Sequence, residues 1–405
     1  MSRGVAVTGM GLVTPAGIGV ADNWDTLCRG VGTAAPDPEL EGAPVSFSCR
    51  VPSFDAEAEF GAREAWRLDR FVQLGLLAAR EALADSGLDS CRWDGARVGV
   101  VMGCAAGGVA SQERHHAGFL ARGPKGVSAL FHPKVLSNMV SGRMAIEFDA
   151  RGPNLVVSTA CASGATAIGL ARDLLLAGSC DVVLAGGTEA AVTPTFVTGF
   201  TRMGALSGRE EDPPSASRPF DTDRDGFVIA EGAGVLVLER PADARARGAA
   251  LHGHVAGYGA SADAVHVTSP DPEGRGLERA IRDALTSGGL TAREVGHVNA
   301  HGTSTLLNDR TEAEVIGRVL GETVAVSSTK GVTGHTLGAA GAVEAAYALL
   351  SIAHETVPPT ANLQHQDPAI DVDIVAGTPR RTPLACALSN SSGFGGHNVA
   401  LLLTA

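Results

Sequence analysis

The sequence predicts an α/β protein built from two related halves. Three observations carry that expectation. Short apolar runs end in small-residue turns and pass straight into helical spacing, so the hydrophobic period changes from two to 3.6 at the turn. One such unit occurs twice: Ser158-Thr159-Ala160-Cys161 leads into 165–176, and Ser327-Ser328-Thr329-Lys330-Gly331 leads into 337–350. Glycine is 52 of 405 residues, well above the usual share of about 7%, as expected where helices and strands pack closely.

Taken in order, Val5-Ala6-Val7-Thr8 reads as an opening buried strand ending at Gly9. Gly9-Met10-Gly11-Leu12-Val13-Thr14 resembles a dinucleotide fingerprint, but Thr14 replaces the last glycine and Pro15 follows. A tight structural turn is the expectation there. Residues 33–62 mix Pro, Gly and acids and read as a surface excursion. Helical spacing runs from Trp66 to Ser86, with Gly87 as its stop. A second buried strand spans 97–102. Residues 109–150 are helical patches broken at Gly123-Pro124 and His132-Pro133. Strands follow at 181–185 and 235–238, separated by a polar, turn-rich stretch at 207–226. The 98–102 strand has a counterpart at 295–300, and the opening strand has one near 254–259. The halves divide as 1–244 and 245–405.

Composition limits the function classes. Hydrophobic residues are 44% and charged residues 19%, enough for a large core. The net charge of −12 argues against nucleic acid or an anionic membrane as the main partner. Seven cysteines at irregular spacing, with no C-x-x-C pair, read as reduced thiols in a cytoplasmic protein. Met1-Ser2-Arg3-Gly4 leads directly into the first strand, so no signal peptide and no membrane-spanning run is expected.

Four strand-end loops carry reactive residues. Cys161 stands where an apolar run becomes a helix, so its sulfur sits at a helix N-terminus that favours thiolate and presents backbone N–H groups. A buried core cysteine is the alternative. Asn299-Ala300-His301-Gly302-Thr303-Ser304-Thr305, Ser328-Thr329-Lys330-Gly331-Val332-Thr333-Gly334-His335 and Asn390-Ser391-Ser392-Gly393-Phe394-Gly395-Gly396-His397 each follow a strand-like run. In open α/β sheets such loops form sites beyond the carboxyl ends of the strands. The H-x-x-x-H spacing of His297 and His301 suits a zinc-binding helix, but it falls on a strand, so no metal is expected.

Together these loops resemble the β-ketoacyl-acyl carrier protein synthases of the condensing-enzyme, thiolase-like family. Further matching stretches are Ala185-Gly186-Gly187-Thr188-Glu189, Ser217-Arg218-Pro219-Phe220-Asp221, Asp225-Gly226-Phe227, Glu231-Gly232-Ala233-Gly234 and Gly393-Phe394-Gly395-Gly396, in family order over nearly the whole chain. The resemblance implies a thiolase-like fold, five-layered α-β-α-β-α, formed from two duplicated halves. It implies that Cys161 takes an acyl group from a carrier thioester, with the backbone N–H groups of Cys161 and Phe394 as oxyanion hole. His301 and His335 would support decarboxylation of a malonyl carrier thioester, with Lys330 tuning the site and Glu312 nearby. Thr303 and Thr305 would contact the phosphopantetheine arm, which the carrier protein brings, so no cofactor of the chain's own is implied.

The resemblance also implies that Ala106, Phe200, Ser392 and Phe394 line or gate the acyl pocket. The insertion at 109–150 would contribute to that pocket and to a dimer contact. Arg63, Arg67, Arg70, Lys125 and Arg202 form the candidate patch for an acyl carrier protein, against the bland reading of a solvated charged face. Leu306-Leu307-Asn308-Asp309-Arg310 and the small Ser392 resemble type II polyketide ketosynthases, which pair with a chain-length factor. The expectation leans to polyketide synthesis, aromatic or polyene. The alternatives are fatty-acid elongation by a homodimer and, less favoured because Cys161 is present, a non-catalytic chain-length-factor-like subunit.

Overall fold

The computed structural model describes residues 4–405, so Met1, Ser2 and Arg3 of the N-terminal reading lie outside the described residues. Ten strands form the frame: β1 (Val5–Thr14), β2 (Val98–Gly103), β3 (Asn154–Val157), β4 (Val182–Glu189), β5 (Gly232–Glu239), β6 (Gly253–Ala262), β7 (His297–Asn299), β8 (Ala325–Ser327), β9 (Cys386–Gly393) and β10 (His397–Thr404). Their spatial order is β8-β7-β9-β10-β6-β1-β5-β4-β2-β3. Read outward from the centre, each half has the same order, and every strand of the second half matches the strand five places earlier. The pairing senses repeat too. β2 lies parallel to β3 and β4, β7 lies parallel to β8 and β9, and the remaining pairs are antiparallel. The halves join through Val5–Val7 against Gly253–Val255.

Six helices complete the layers: α1 (Arg70–Ser86), α2 (Ser163–Leu176), α3 (Pro194–Arg202), α4 (Arg275–Gly288), α5 (Leu306–Leu320) and α6 (Ala340–Ala353). α1 covers the outer face of the first half, and α4 covers that of the second. α2 and α6 pack on each other and on strands of both halves, forming the central layer. Three apolar clusters fill the interlayer spaces: one around α2 and α6, one under α1 and one between α4 and α5. This is the five-layered arrangement expected from the sequence.

The glycines show why the layers can approach so closely. A Cβ on Gly9 or Gly11 would lie 2.1 or 1.9 Å from the carbonyl oxygens of Ala82 or Ala78 on α1. In the second half, Gly257 and Gly259 meet Ala284 and Ala280 of α4 at 2.1 and 2.0 Å. The Gly9-Met10-Gly11 run is therefore not a turn. β1 continues through it to Thr14, and its glycines admit the helix backbone.

Two other expectations change. The helix expected from Trp66 to Ser86 is broken at Leu68, which is extended, and Asp69 accepts from the Phe71 N–H to cap α1. The stretch at 33–62 is not wholly superficial, since Leu40, Phe47 and Cys49 join a buried cluster.

Candidate active site

The turn before α2 is held in a strained shape. Ala160 has φ +50°, a region that side-chain-bearing residues rarely adopt. The Ser163 hydroxyl stabilises it, donating to the Ala160 carbonyl at 2.6 Å and accepting from the Thr159 N–H at 2.9 Å. Cys161 is thus fixed at the tip of the turn, half-buried, in the wall of a cavity of about 380 Å3. Opposite it, β9 ends at Gly393. A Cβ there would stand 2.5 Å from the Thr159 carbonyl oxygen and 3.1 Å from the Cys161 nitrogen, so only glycine allows this approach.

The helix N-terminus favours the Cys161 thiolate, and burial opposes it: burial pushes the thiol from 9.0 up to about 12, Lys330 opposes the rise, and Glu189 and Glu344 add to it.

His301 and His335 line the same cavity, with ring centroids 5.3 Å apart and planes at 82°. Burial holds both imidazoles well below their ordinary range, and the Lys330 charge adds to this. Each is therefore neutral and carries one N–H and one acceptor nitrogen. The His301 turn is tied to its neighbours: the Ser328 hydroxyl donates to the Gly302 carbonyl at 2.7 Å. The His335 loop is pinned to 228–230, with its N–H donating to the Val228 carbonyl at 2.8 Å and its carbonyl accepting from the Ala230 N–H at 3.0 Å.

Lys330 lies beneath the histidines and is 1% exposed. Its ammonium donates to the His301 carbonyl at 2.6 Å, approaches His301 Nδ1 at 3.5 Å and pairs with the Glu344 carboxylate. Glu312, expected nearby in support, holds the His301 turn. It accepts from the N–H groups of His301 and Gly302, both at 2.8 Å, and from Asn390 Nδ2 at 3.2 Å. The lysine's carboxylate partner is therefore Glu344, which sequence reasoning missed. Its signal was a lone acid inside the apolar helical run at 340–353. Burial raises Glu344 to about 7, against the pull of Lys330. His297, the other half of the H-x-x-x-H spacing, pairs through Nε2 with the Ser327 hydroxyl at 3.1 Å.

The other candidates separate. Thr303 and Thr305 line the cavity with their hydroxyls 2.9 Å apart. Phe200, Ser392 and Phe394 also line it, with Phe200 and Phe394 rings 6.2 Å apart. Phe227, not singled out from the sequence, links Phe200 at 5.3 Å to His335 at 5.1 Å. Ala106 is outside the cavity lining. It packs in the cluster beside Cys161 and Phe200, and its N–H donates to Glu189. Arg63, Lys125 and Arg202 are exposed. Arg70 is not available in the same way: its guanidinium donates twice, at 2.6 Å, to the fully buried Glu231. Arg67 pairs with Glu64 at 3.5 Å.

Two family models match this arrangement in sequence: the N-terminal domain of beta-ketoacyl synthase over residues 2–244 and the C-terminal domain over 252–364. The chain belongs to the beta-ketoacyl synthase family. A 3-oxoacyl-[acyl-carrier-protein] synthase 2 from Synechocystis is 44% identical over 98% of this chain and 97% of its own. The enzyme of the same name from Vibrio harveyi is 42% identical over 99% and 98%. Among solved structures, a type II polyketide ketosynthase–acyl carrier protein complex, with a bound hexaketide, matches with a TM-score of 0.92 at 32% identity, covering 100% of both chains. The ishigamide ketosynthase/chain length factor matches with a TM-score of 0.90 at 33% identity, covering 100% of this chain and 99% of that one. The protein is a condensing enzyme of the acyltransferase class. Among the described residues, no helix is long and apolar enough to cross a membrane.

Proposed function

We propose that this beta-ketoacyl synthase elongates carrier-bound acyl chains by two carbons, in the manner of the 3-oxoacyl-[acyl-carrier-protein] synthase 2 enzymes. The observation that carries the reading is one cavity shared by Cys161, His301 and His335, with the Lys330–Glu344 pair buried beneath. In the first transfer the Cys161 thiol gives up its proton and its sulfur attacks the acyl thioester. The carrier thiol leaves, taking a proton. The backbone N–H groups of Cys161 and Phe394 receive the oxygen charge.

In the second transfer a malonyl thioester enters. His301 and His335, both neutral, donate N–H groups to its thioester oxygen as carbon dioxide departs and an enolate forms. The enolate carbon attacks the acyl carbonyl on Cys161. The sulfur leaves and is reprotonated, and a β-ketoacyl carrier thioester is released. Lys330 acts as a positioning residue, holding the His301 backbone and leaving the Nε2 proton of that ring toward substrate. Thr303 and Thr305 receive the phosphopantetheine arm, and the chain itself contributes no cofactor.

Fatty-acid elongation is favoured over the polyketide expectation by the higher identity of the relatives named synthase 2, 42–44% against 32–33% for the polyketide neighbours. The polyketide reading keeps Leu306 and Leu307 at the cavity mouth, the small Ser392 in its wall, and the polyketide ketosynthases among the solved structures this chain resembles. The edge strand β3, with Leu155 at 43% exposure, supports a dimer, since an uncovered apolar edge invites pairing. Elongation predicts a homodimer, and polyketide synthesis predicts a pair with a chain-length factor.

The test is intact-mass analysis of the purified chain with acyl carrier thioesters of graded length, then malonyl carrier protein. A β-ketoacyl product from the chain alone supports elongation. Acylation that stops without condensation, and resumes only with a chain-length factor, supports the polyketide reading.

A further inference from the structure

We propose that Arg224 is a positioning residue for the pantetheine arm of the thioester. From beneath the site it sets the Thr303-Ser304-Thr305 turn, whose two threonine hydroxyls meet that arm. The inference rests on the arm reading above. Arg224 is 4% exposed and lies outside the cavity wall, and no step of the condensation uses it. Its guanidinium gathers three segments of chain. Nε donates to the Thr305 carbonyl at 3.2 Å, and Nη2 donates to the Leu306 carbonyl at 3.1 Å. Nη1 donates to the Asp221 carbonyl and to the Asp367 carboxylate, both at 2.8 Å. Only a planar fork of N–H donors reaches acceptors in so many directions at once.

The turn needs such an anchor. Ser304 has φ +65°, a conformation that persists only where its surroundings enforce it. It is fully buried, and each of its polar groups is engaged. The N–H donates to Asp309 Oδ2 at 3.1 Å. The carbonyl accepts from the Gly226 N–H at 2.9 Å, and the hydroxyl accepts from the Arg218 N–H at 2.9 Å. With Ser304 turned into the protein, Thr303 and Thr305 on either side line the cavity. Arg224 holds the Thr305 end of this turn directly. Its Nε also stands 3.8 Å from the Asp309 carboxylate that holds the middle. Burial raises Asp309, and the Phe220 N–H and the Arg224 charge oppose the rise, which keeps that carboxylate an acceptor for Ser304.

The test follows acylation of Cys161 by intact mass, using the best-accepted acyl group of the graded series above. That group is carried on pantetheine and, with no arm, on ethanethiol. Alkylation of Cys161 by iodoacetamide, read by peptide mass, reports the sulfur alone. Wild type is set beside R224K, which keeps the charge facing Asp309 and Asp367 but loses the fork. R224K should raise the KM for acyl-pantetheine about tenfold, the equivalent of one or two hydrogen bonds. Its kcat, its rate with the ethanethiol ester and its alkylation rate should each stay within about twofold. D367A removes only the half-buried partner of Arg224 and should raise the same KM about threefold. It decides the matter if R224K does not fold. T303V/T305V tests the arm reading itself and should lose the preference for pantetheine over ethanethiol.

A preference lost in T303V/T305V but kept in R224K and D367A overturns the inference and leaves the arm reading standing. A preference kept in T303V/T305V removes the arm reading and the inference with it. Equal losses in R224K with both thioesters and with iodoacetamide overturn it by making Arg224 a support of the fold at large. If neither thioester acylates folded wild type, the condensing reading fails first.

Discussion

The Lys330 ammonium donates to the backbone carbonyl of His301 at 2.6 Å, across 29 residues of sequence. One buried charge thereby fixes the loop after β7 to the loop after β8. Glu344 on α6 balances that charge, so the site's geometry and its electrostatics depend on the same contact.

Removing one member of this pair strands the other. Lys330→Ala should lower stability by about 3–5 kcal/mol, because an unpaired carboxylate remains buried. The double variant K330M/E344L should recover most of that loss while condensation stays absent. Chemical denaturation and product assays read the two effects separately. Full stability in K330A would show that the pair is not what holds the loops.

Cys161→Ala should abolish covalent acylation and leave the melting temperature close to wild type, since the turn is held by Ser163 and not by the sulfur. Ser163→Ala should instead lower stability by about 1 kcal/mol and slow acylation, because Ala160 loses the hydrogen bond that fixes its strained φ. Mass spectrometry and thermal melts distinguish these outcomes. Unimpaired acylation in S163A would contradict a supporting role for the hydroxyl.

His297 supplies a pH test away from the reacting groups. Burial lowers it from 6.5 to about 3. In the unfolded chain it binds a proton below about pH 6.5, and in the folded chain it does not. Its contribution to stability is therefore intact above pH 6.5 and is lost as pH falls, by about 1.4 kcal/mol per pH unit. Glu189 and Glu344, both raised to about 7, act in the opposite direction: their contribution is full below about pH 4.5 and is lost as pH rises through 7. Urea unfolding at pH 6.5 and 5.0 should show His297→Gln relieving about 2 kcal/mol of the acid loss seen in wild type. Parallel curves for the two proteins would refute this.

Gly11→Ala and Gly259→Ala test the duplicated packing. Each new methyl would meet a helix carbonyl at 1.9 or 2.0 Å, so each should cost about 1–3 kcal/mol or more by overpacking. Gly208→Ala is the control for added methyl alone: it has open space around it and no positive φ. If G11A and G259A lose no more than that control, the glycines are not there for close approach.

The amino-acid sequence by itself determined the α/β class, the two halves and the four loops, which bear Cys161, His301, Lys330 with His335, and Phe394. These are local facts: a change of hydrophobic period, a small-residue turn and a repeat are visible within about 20 residues. Tertiary structure decided what depends on residues far apart. Gly9 and Gly11 looked like a turn because the helix that needs their missing side chains lies about 70 residues later. Glu312 was expected nearby in support, and the fold uses both its oxygens to hold the turn at His301 and Gly302, while the charge that balances Lys330 comes from Glu344. Arg70 was read as part of a docking surface, and only the fold shows that Glu231 lies beneath it and pairs with it. Burial, which raises the Cys161 thiol and lowers both histidines, belongs to the assembled layers and not to any one stretch of chain.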